Sequence, residues 1–244
     1  MIIHPLAGRG QREKVRWRAG EGAGAPIWVI SGDYCIPIMR HFLSGRVGQA
    51  MMRCRFGIGT IALTYALSLV VGMGMAQAGN KFALGYRDRL VGKAVRESAI
   101  LRNLQERNRL RAAGLDAAGN AAAGAISLLA GYFPPSGYGI AAFRGWIGGI
   151  VSVDDQHHSR LSTPGGAFYY FTTLALQLIP YSLAGGAGVS LGFAAFTRRG
   201  RIVYPGRRVR WLLIPYEALG DAGWIYLVSL PLFAIASVFE FVAA

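Results

Sequence analysis

The sequence predicts an all-α fold: a polytopic transmembrane helical bundle of about five membrane helices, with interfacial amphipathic helices. Three observations carry this. The 37 residues from Leu161 to Thr197 include no Asp, Glu, Lys or Arg, whereas a membrane span needs only about 20 apolar residues. Phe56–Ala78, Ala117–Phe143 and Ala222–Phe239 are three further long, mostly apolar runs. Finally, 53% of the 244 residues are hydrophobic and mean hydropathy is +0.34, with 34 glycines, a residue more frequent in membrane helices than in soluble ones.

The elements follow in chain order. Residues 1–55 read as a basic, cytoplasmic N-terminal arm, with nine basic residues against three acids. Within it, Ile36, Met39, Phe42 and Leu43 approximate helical spacing, so Pro26–Ala50 is expected to contain a helix lying in the interface. The first 25 residues lack a continuous apolar core, so no cleavable signal is expected. Residues 56–244 form the transmembrane domain. Its first span, Phe56–Ala78, carries Gly57, Ala62, Gly72 and Gly74, small enough for a close neighbour. Asn80–Gly114 is basic and rich in helix formers, and reads as one amphipathic helix of about 30 residues, roughly 45 Å long. Ala117–Phe143 is interrupted by Phe133-Pro134-Pro135-Ser136-Gly137, a strong breaker. Two short helices are therefore expected, one of about 17 residues ending at the breaker and one from Tyr138 to Val153. Gly119, Ala123, Ser127 and Gly131 recur at four-residue spacing on the first, and Gly145 and Gly149 do so on the second; both sets are candidate helix-packing positions. After a polar loop, Ser152–Pro164, the long span Leu161–Thr197 contains Pro180, where a kink is expected. Its small-residue stretch Ala184–Gly192, including Gly185, Gly188 and Gly192, should pack on protein. Trp211–Gly220 is a short amphipathic segment before the last span, Ala222–Phe239.

Charge sets the topology. The formal net charge is +14. Basic loops beside apolar spans grip lipid headgroups and orient the chain, so nucleic acid is not expected as a partner. Arg198–Arg210 holds six arginines and no acid, which places it in the cytoplasm with the N-terminus. Five crossings then put the Asp154-Asp155 loop and the C-terminus outside. Asn80–Gly114 conflicts with this, because it lands outside with 9 − 3 = +6 charges. One remedy is that one of the short helices does not cross.

Little in the chain points to chemistry. No Walker loop, GxSxG, HExxH or paired-acid constellation is present, and neither a catalytic residue nor a metal or cofactor is expected. Cys35 and Cys54 read as unpaired thiols. His157 and His158 beside Asp154 and Asp155 form the one cluster that resembles a metal site, but adjacent histidines point apart and suit one ion poorly. Charges at the membrane edge are the remaining candidates: Arg144 in the hairpin, Glu217 and Asp221 at the start of the last span, and Glu240 at its end. Glu217 and Asp221 share a helical face, with Arg208 and Arg210 near enough in sequence to compensate.

Gly119-Asn120, Arg144-Gly145-Trp-Ile-Gly148, the run AGGAGVSLG at Ala184–Gly192 and LFAIASVFE at Leu232–Glu240 occur in the order and spacing of the stage II sporulation protein M family. The chain resembles that family over about residues 56–244. The resemblance implies an integral membrane protein, often linked with transporter genes. Where it implies an Asn, this sequence has Arg144. Where it implies a His and a Glu, it has Thr173 and Gln177.

The function expected is that of a non-catalytic accessory or scaffold subunit, packed into a larger bacterial membrane complex such as a reaction-centre–antenna, respiratory or envelope assembly. Its partners would be other membrane subunits of a hetero-oligomer and anionic lipids. The alternative is a permease-like subunit of an ATP-driven transporter, for which the spans offer few polar groups beyond Thr64, Asn120, Thr172, Thr173 and Gln177. The Gly/Ala/Arg bias fits a GC-rich bacterium, and hence a bacterial inner membrane, cytoplasmic or intracytoplasmic.

Overall fold

The computed structural model describes residues 45–100, 103, 108–196 and 215–242. The arm over residues 1–44, with Cys35, the arginine-rich stretch 198–210 and residues 211–214 lie outside the described residues. Six helices make up the described fold: α1 (Arg46–Gln77), α2 (Lys81–Glu97), α3 (Arg109–Gly131), α4 (Pro134–Ile150), α5 (Pro164–Phe196) and α6 (Tyr216–Val242).

Local chemistry fixes the helix ends and corrects several expected boundaries. The helix that carries the first expected span begins at Arg46, ahead of Phe56, so residues 46–55 are the opening turns of α1. It closes at Gly79, whose φ of +70° needs glycine. The amides of Gly79 and Asn80 return to the carbonyls of Ala76 and Met75, a glycine-closed helix end that satisfies orphan acceptors. Asn80 then caps α2, its side chain accepting from the amides of Phe82 and Ala83. The single amphipathic helix expected over Asn80–Gly114 is broken at Ser98, which is extended (ψ 120°) and whose hydroxyl accepts the Ile100 amide. Serine competes for backbone groups in this way and ends helices. Asn108 starts α3 by accepting the Arg111 amide. The two prolines do not form the turn between the short helices but open α4, because the first helical positions need no N–H donor. Ser136 Oγ stitches the turn by donating to the carbonyls of Ala130 and Phe133. Helix α5 runs through Pro180 without interruption, and residues 216–220 belong to α6 itself.

Helices α1, α3, α4, α5 and α6 alternate in direction. At one end of the bundle Gln77 donates to Ser152, Tyr170 to the Gly148 carbonyl, Tyr169 to the Glu240 carbonyl and Ser237 to Asp116. At the other end Arg53 pairs with Asp221, and Gly192 lies against the Tyr132 carbonyl at the α3–α4 turn. Helix α5 is the centre: residues 180–192 are buried without exception. Three helices, α1, α5 and α6, are long and apolar enough to cross a membrane. Helix α4 has 17 residues, roughly 25 Å of helix, against a hydrocarbon core of about 30 Å. Helix α3 carries Arg109, Arg111 and Asp116 in its first turns.

Small residues bring the backbones together. A Cβ on Gly57 or Gly186 would strike the partner backbone across α1 and α5, one on Gly188 the Leu128 carbonyl of α3, and one on Gly131 the backbone of Gly188 and Val189. Gly72, Gly145 and Gly149 do the same between α1 and α4. Of the expected packing positions, Ser127, Gly131, Gly145, Gly149, Gly185, Gly188 and Gly192 are buried, Ala123 is half-buried, and Gly119 is exposed with open space where a Cβ would stand. Geometry explains the Gly119 error. At about 100° per residue, a strict four-residue ladder drifts roughly 40° per step, so Gly119 sits about 120° away from Gly131. The contact line on α3 is Gly124, Ser127 and Gly131, which alternates three and four. Gly185 is a milder case, because a Cβ there would only touch Ile61 at 3.4 Å; its neighbour Gly186 makes the close approach. Gly74 of the first span is likewise exposed.

Candidate functional site

Helices α3 and α4 touch near their shared turn, where a Cβ on Gly137 would stand 2.9 Å from Gly131 Cα. Away from the turn the two helices part, and the N-terminal half of α5 lies behind the gap. The result is a cleft of about 920 Å³. Ile126 of α3 forms one wall, and Ile140, Phe143, Arg144 and Ile147 of α4 form the other. Tyr169, Tyr170, Thr173, Leu174 and Gln177 of α5 form the back, with Glu240 of α6 and Arg160 of the 151–163 loop at the end away from the turn. Ile126 and Phe143 are 61% and 50% exposed, so the cleft opens sideways between α3 and α4.

Polar groups converge on this cleft from four elements. The Arg144 guanidinium lies 3.9 Å over the Tyr181 ring centroid, an attraction that partly offsets the cost of a cation among apolar helices. No carboxylate pairs with Arg144 or Arg160 among the described residues. Tyr181 donates its hydroxyl to Asn120 Oδ1 (2.7 Å), and Asn120 Nδ2 and Ser237 Oγ both donate to Asp116 Oδ2 (2.7 Å each). Glu240 Oε2 accepts from Gln177 Nε2 at 2.8 Å. Of the polar groups noted in the spans, Thr173 and Gln177 line the cleft, and Asn120 bonds Tyr181, on whose ring Arg144 lies. Thr64 does not take part, because its hydroxyl bonds back to the Thr60 carbonyl.

The expected edge charges therefore divide. Arg144 and Glu240 belong to the cleft. Asp221 is buried at the opposite end and is gripped in two-point fashion by Arg53, with Nε to Oδ2 at 2.6 Å and an Nη to Oδ1 at 2.5 Å. Glu217 is exposed and shares none of this pairing. Asp221 thus ties α6 to α1, a pairing across 168 residues that no local spacing announces.

The Asp154–His158 cluster holds α2 against the loop. Arg87, nearly inaccessible at 2% exposure, donates to Asp155 Oδ1 (2.5 Å) and Asp88 Oδ1 (3.1 Å). His157, at φ 60°, places Nε2 3.0 Å from Asp88 Oδ2. Hydrogen bonds with His157 and then Arg87 hold the Asp88 carboxyl below the usual carboxylate range. Asp154 accepts the amides of His158 and Gln156. These side chains are engaged in ion pairs and turn closure, and among the described residues no group of three or more His, Cys, Asp or Glu is placed to hold a metal.

No family model, no curated protein and no solved structure matches this chain.

Proposed function

We propose that the chain is a non-catalytic, multi-pass membrane subunit that takes a ligand into its own bundle, the permease-like component of a transport assembly. The observation that carries this reading is the cleft with Arg144 in its wall. A cation inside an apolar bundle, with no carboxylate partner among the described residues, is costly and marks a functional position by default. Concave, mostly apolar sites with a few converging polar groups are the ordinary form of a ligand site. The accessory-subunit reading drew on the ordered small-residue faces, on two long basic segments outside the spans and on the lack of a chemical constellation. Those faces are filled by this chain's own helices, which moves the weight to the permease-like reading.

The same proposal includes five crossings, with α3 and α4 as short spans supported by longer neighbours, in a bacterial inner membrane with the N-terminus in the cytoplasm. Arg46, Arg53 and Arg55 at the start of α1 support that orientation. At the far end the pairing of Arg87 with Asp155 offsets part of the positive charge that seemed out of place there. A distant place in the stage II sporulation protein M family fits as well. The three departures from its pattern, Arg144, Thr173 and Gln177, all line the one cleft.

Isolation from native membranes in mild detergent, followed by mass spectrometry of what co-purifies, tests the reading. An ATPase subunit recovered at fixed stoichiometry supports it. Recovery in a large redox or light-harvesting assembly, with no ATPase, returns the chain to the accessory role.

A further inference from the structure

The cleft also carries information about what it would hold. Its walls are aliphatic and aromatic, from Ile126, Ile140, Phe143, Ile147 and Leu174. About 920 Å³ is far more than a small inorganic anion fills and lies in the range of sites for whole organic ligands. The opening between α3 and α4 is flanked by exposed apolar side chains, so in a bilayer it faces hydrocarbon. Its charged lining is Arg144, in the wall on the Tyr181 ring, and Arg160 and Glu240 at the end away from the turn. Neither arginine is paired with a carboxylate among the described residues, while Glu240 is already bonded by Gln177.

We infer that the cleft binds one membrane amphiphile with a phosphate headgroup, its phosphate at Arg144 and its chain along the apolar walls. This rests on the ligand-cleft reading above and names the ligand class. Arginine guanidinium groups match phosphate oxygens in shape as well as charge. The apolar walls exclude the headgroup on its own, because a water-soluble phosphate would fill only the space beside Arg144. Tyr181 acts as a positioning residue. Its ring lies under the Arg144 guanidinium, and its hydroxyl is fixed by Asn120, so the cation is held in place before a ligand arrives.

The test uses the full chain, delipidated in an uncharged detergent and then offered phosphatidylglycerol, phosphatidic acid or glycerol 3-phosphate, with occupancy read by native mass spectrometry. Phosphatidylglycerol and phosphatidic acid are each expected at one per chain, with no competition from millimolar glycerol 3-phosphate. Arg144→Gln should lower occupancy about tenfold or more, the loss expected for a charge-assisted contact. Arg55→Gln, on the exposed face of α1, should leave it unchanged. Should Arg144→Gln fail to fold, Ile140→Trp narrows the wall with Arg144 in place and should also displace the lipid. Occupancy equal in wild type, Arg144→Gln and Ile140→Trp would mean annular lipid and overturn the inference. Competition by glycerol 3-phosphate at the lipid's own concentration would make the ligand a soluble anion and overturn it too. Arginine-dependent lipid binding without a co-purifying ATPase would sustain the site while removing the transport role, and an ATPase without bound lipid would do the reverse.

Discussion

Gly188→Ala isolates the packing that holds α5 at the centre. The added Cβ would overlap the Leu128 carbonyl oxygen and stand 2.8 Å from its carbon and 2.9 Å from Leu128 Cα. Both neighbours are backbone, so no rotamer change gives relief, and α3 must retreat by roughly 1 Å to reach ordinary contact. A gap of that size forfeits about a quarter to a half of each van der Waals contact along the seam. The seam includes Gly131 against Gly188 and Gly192 against Tyr132. Overpacking of well-filled sites costs about 1–3 kcal/mol, and with backbone on both sides we expect the upper end, about 3 kcal/mol, or roughly a hundredfold in the folded fraction. Gly119→Ala is the internal control. It faces open space, so removing a mid-helix glycine should stabilise by about 0.5–1 kcal/mol. Reversible denaturation in mixed micelles reads both. Opposite signs are expected; a Gly188→Ala protein as stable as wild type would refute the close α3–α5 approach.

Further expectations follow from other contacts. Gly124→Ala should cost about 1–3 kcal/mol, because its Cβ would stand 2.7 Å from the buried Phe233 ring; Phe233→Leu should rescue it, and additive losses in the double-mutant cycle would argue against the contact. Asp221→Asn should destabilise by about 1–2 kcal/mol, less than a fully buried pair because Arg53 keeps 37% exposure, and an Arg53→Met, Asp221→Leu double variant should recover part of the loss in a thermal melt. The α2 latch should be acid-sensitive. Asp88 has a lowered folded value, so its contribution is present above the ordinary aspartate value of about 4 and fades as pH falls through the lower folded value. Amide exchange in α2 should rise in that window, and Asp88→Asn should abolish the pH step; an unchanged step would assign it to another group.

The apolar runs made the helical class readable, because long stretches without charge leave few alternatives. Boundaries were less readable where one polar atom decides them: Ser98 splits the amphipathic stretch and Pro134-Pro135 opens a helix, and in both cases the residue type was visible but its backbone position was not. The α5 glycines were found because their run is dense. The α3 line was misplaced because Gly119 fits a four-residue ladder that a real helix does not keep in register. For the cleft, Arg144, Glu240, Thr173 and Gln177 were each noticed separately. Their convergence depends on α3 and α4 parting in front of α5, which is a property of tertiary packing. Asp116 and Tyr181 carried one available signal: Asp116 and Asn120, four apart on a helix, share a face.

The central claim is that α4 passes from one face of the membrane to the other, so that the cleft beside it lies within the bilayer. Single cysteines at Phe133, exposed at the α3–α4 turn, and at Gln156, exposed in the 151–163 loop, test it directly in a chain with Cys35 and Cys54 replaced by serine. Membrane-impermeant maleimide applied to oriented vesicles should label Phe133→Cys from the cytoplasmic side alone and Gln156→Cys from the opposite side alone. Labelling of both from the same side would make α4 a re-entrant helix and contradict the account.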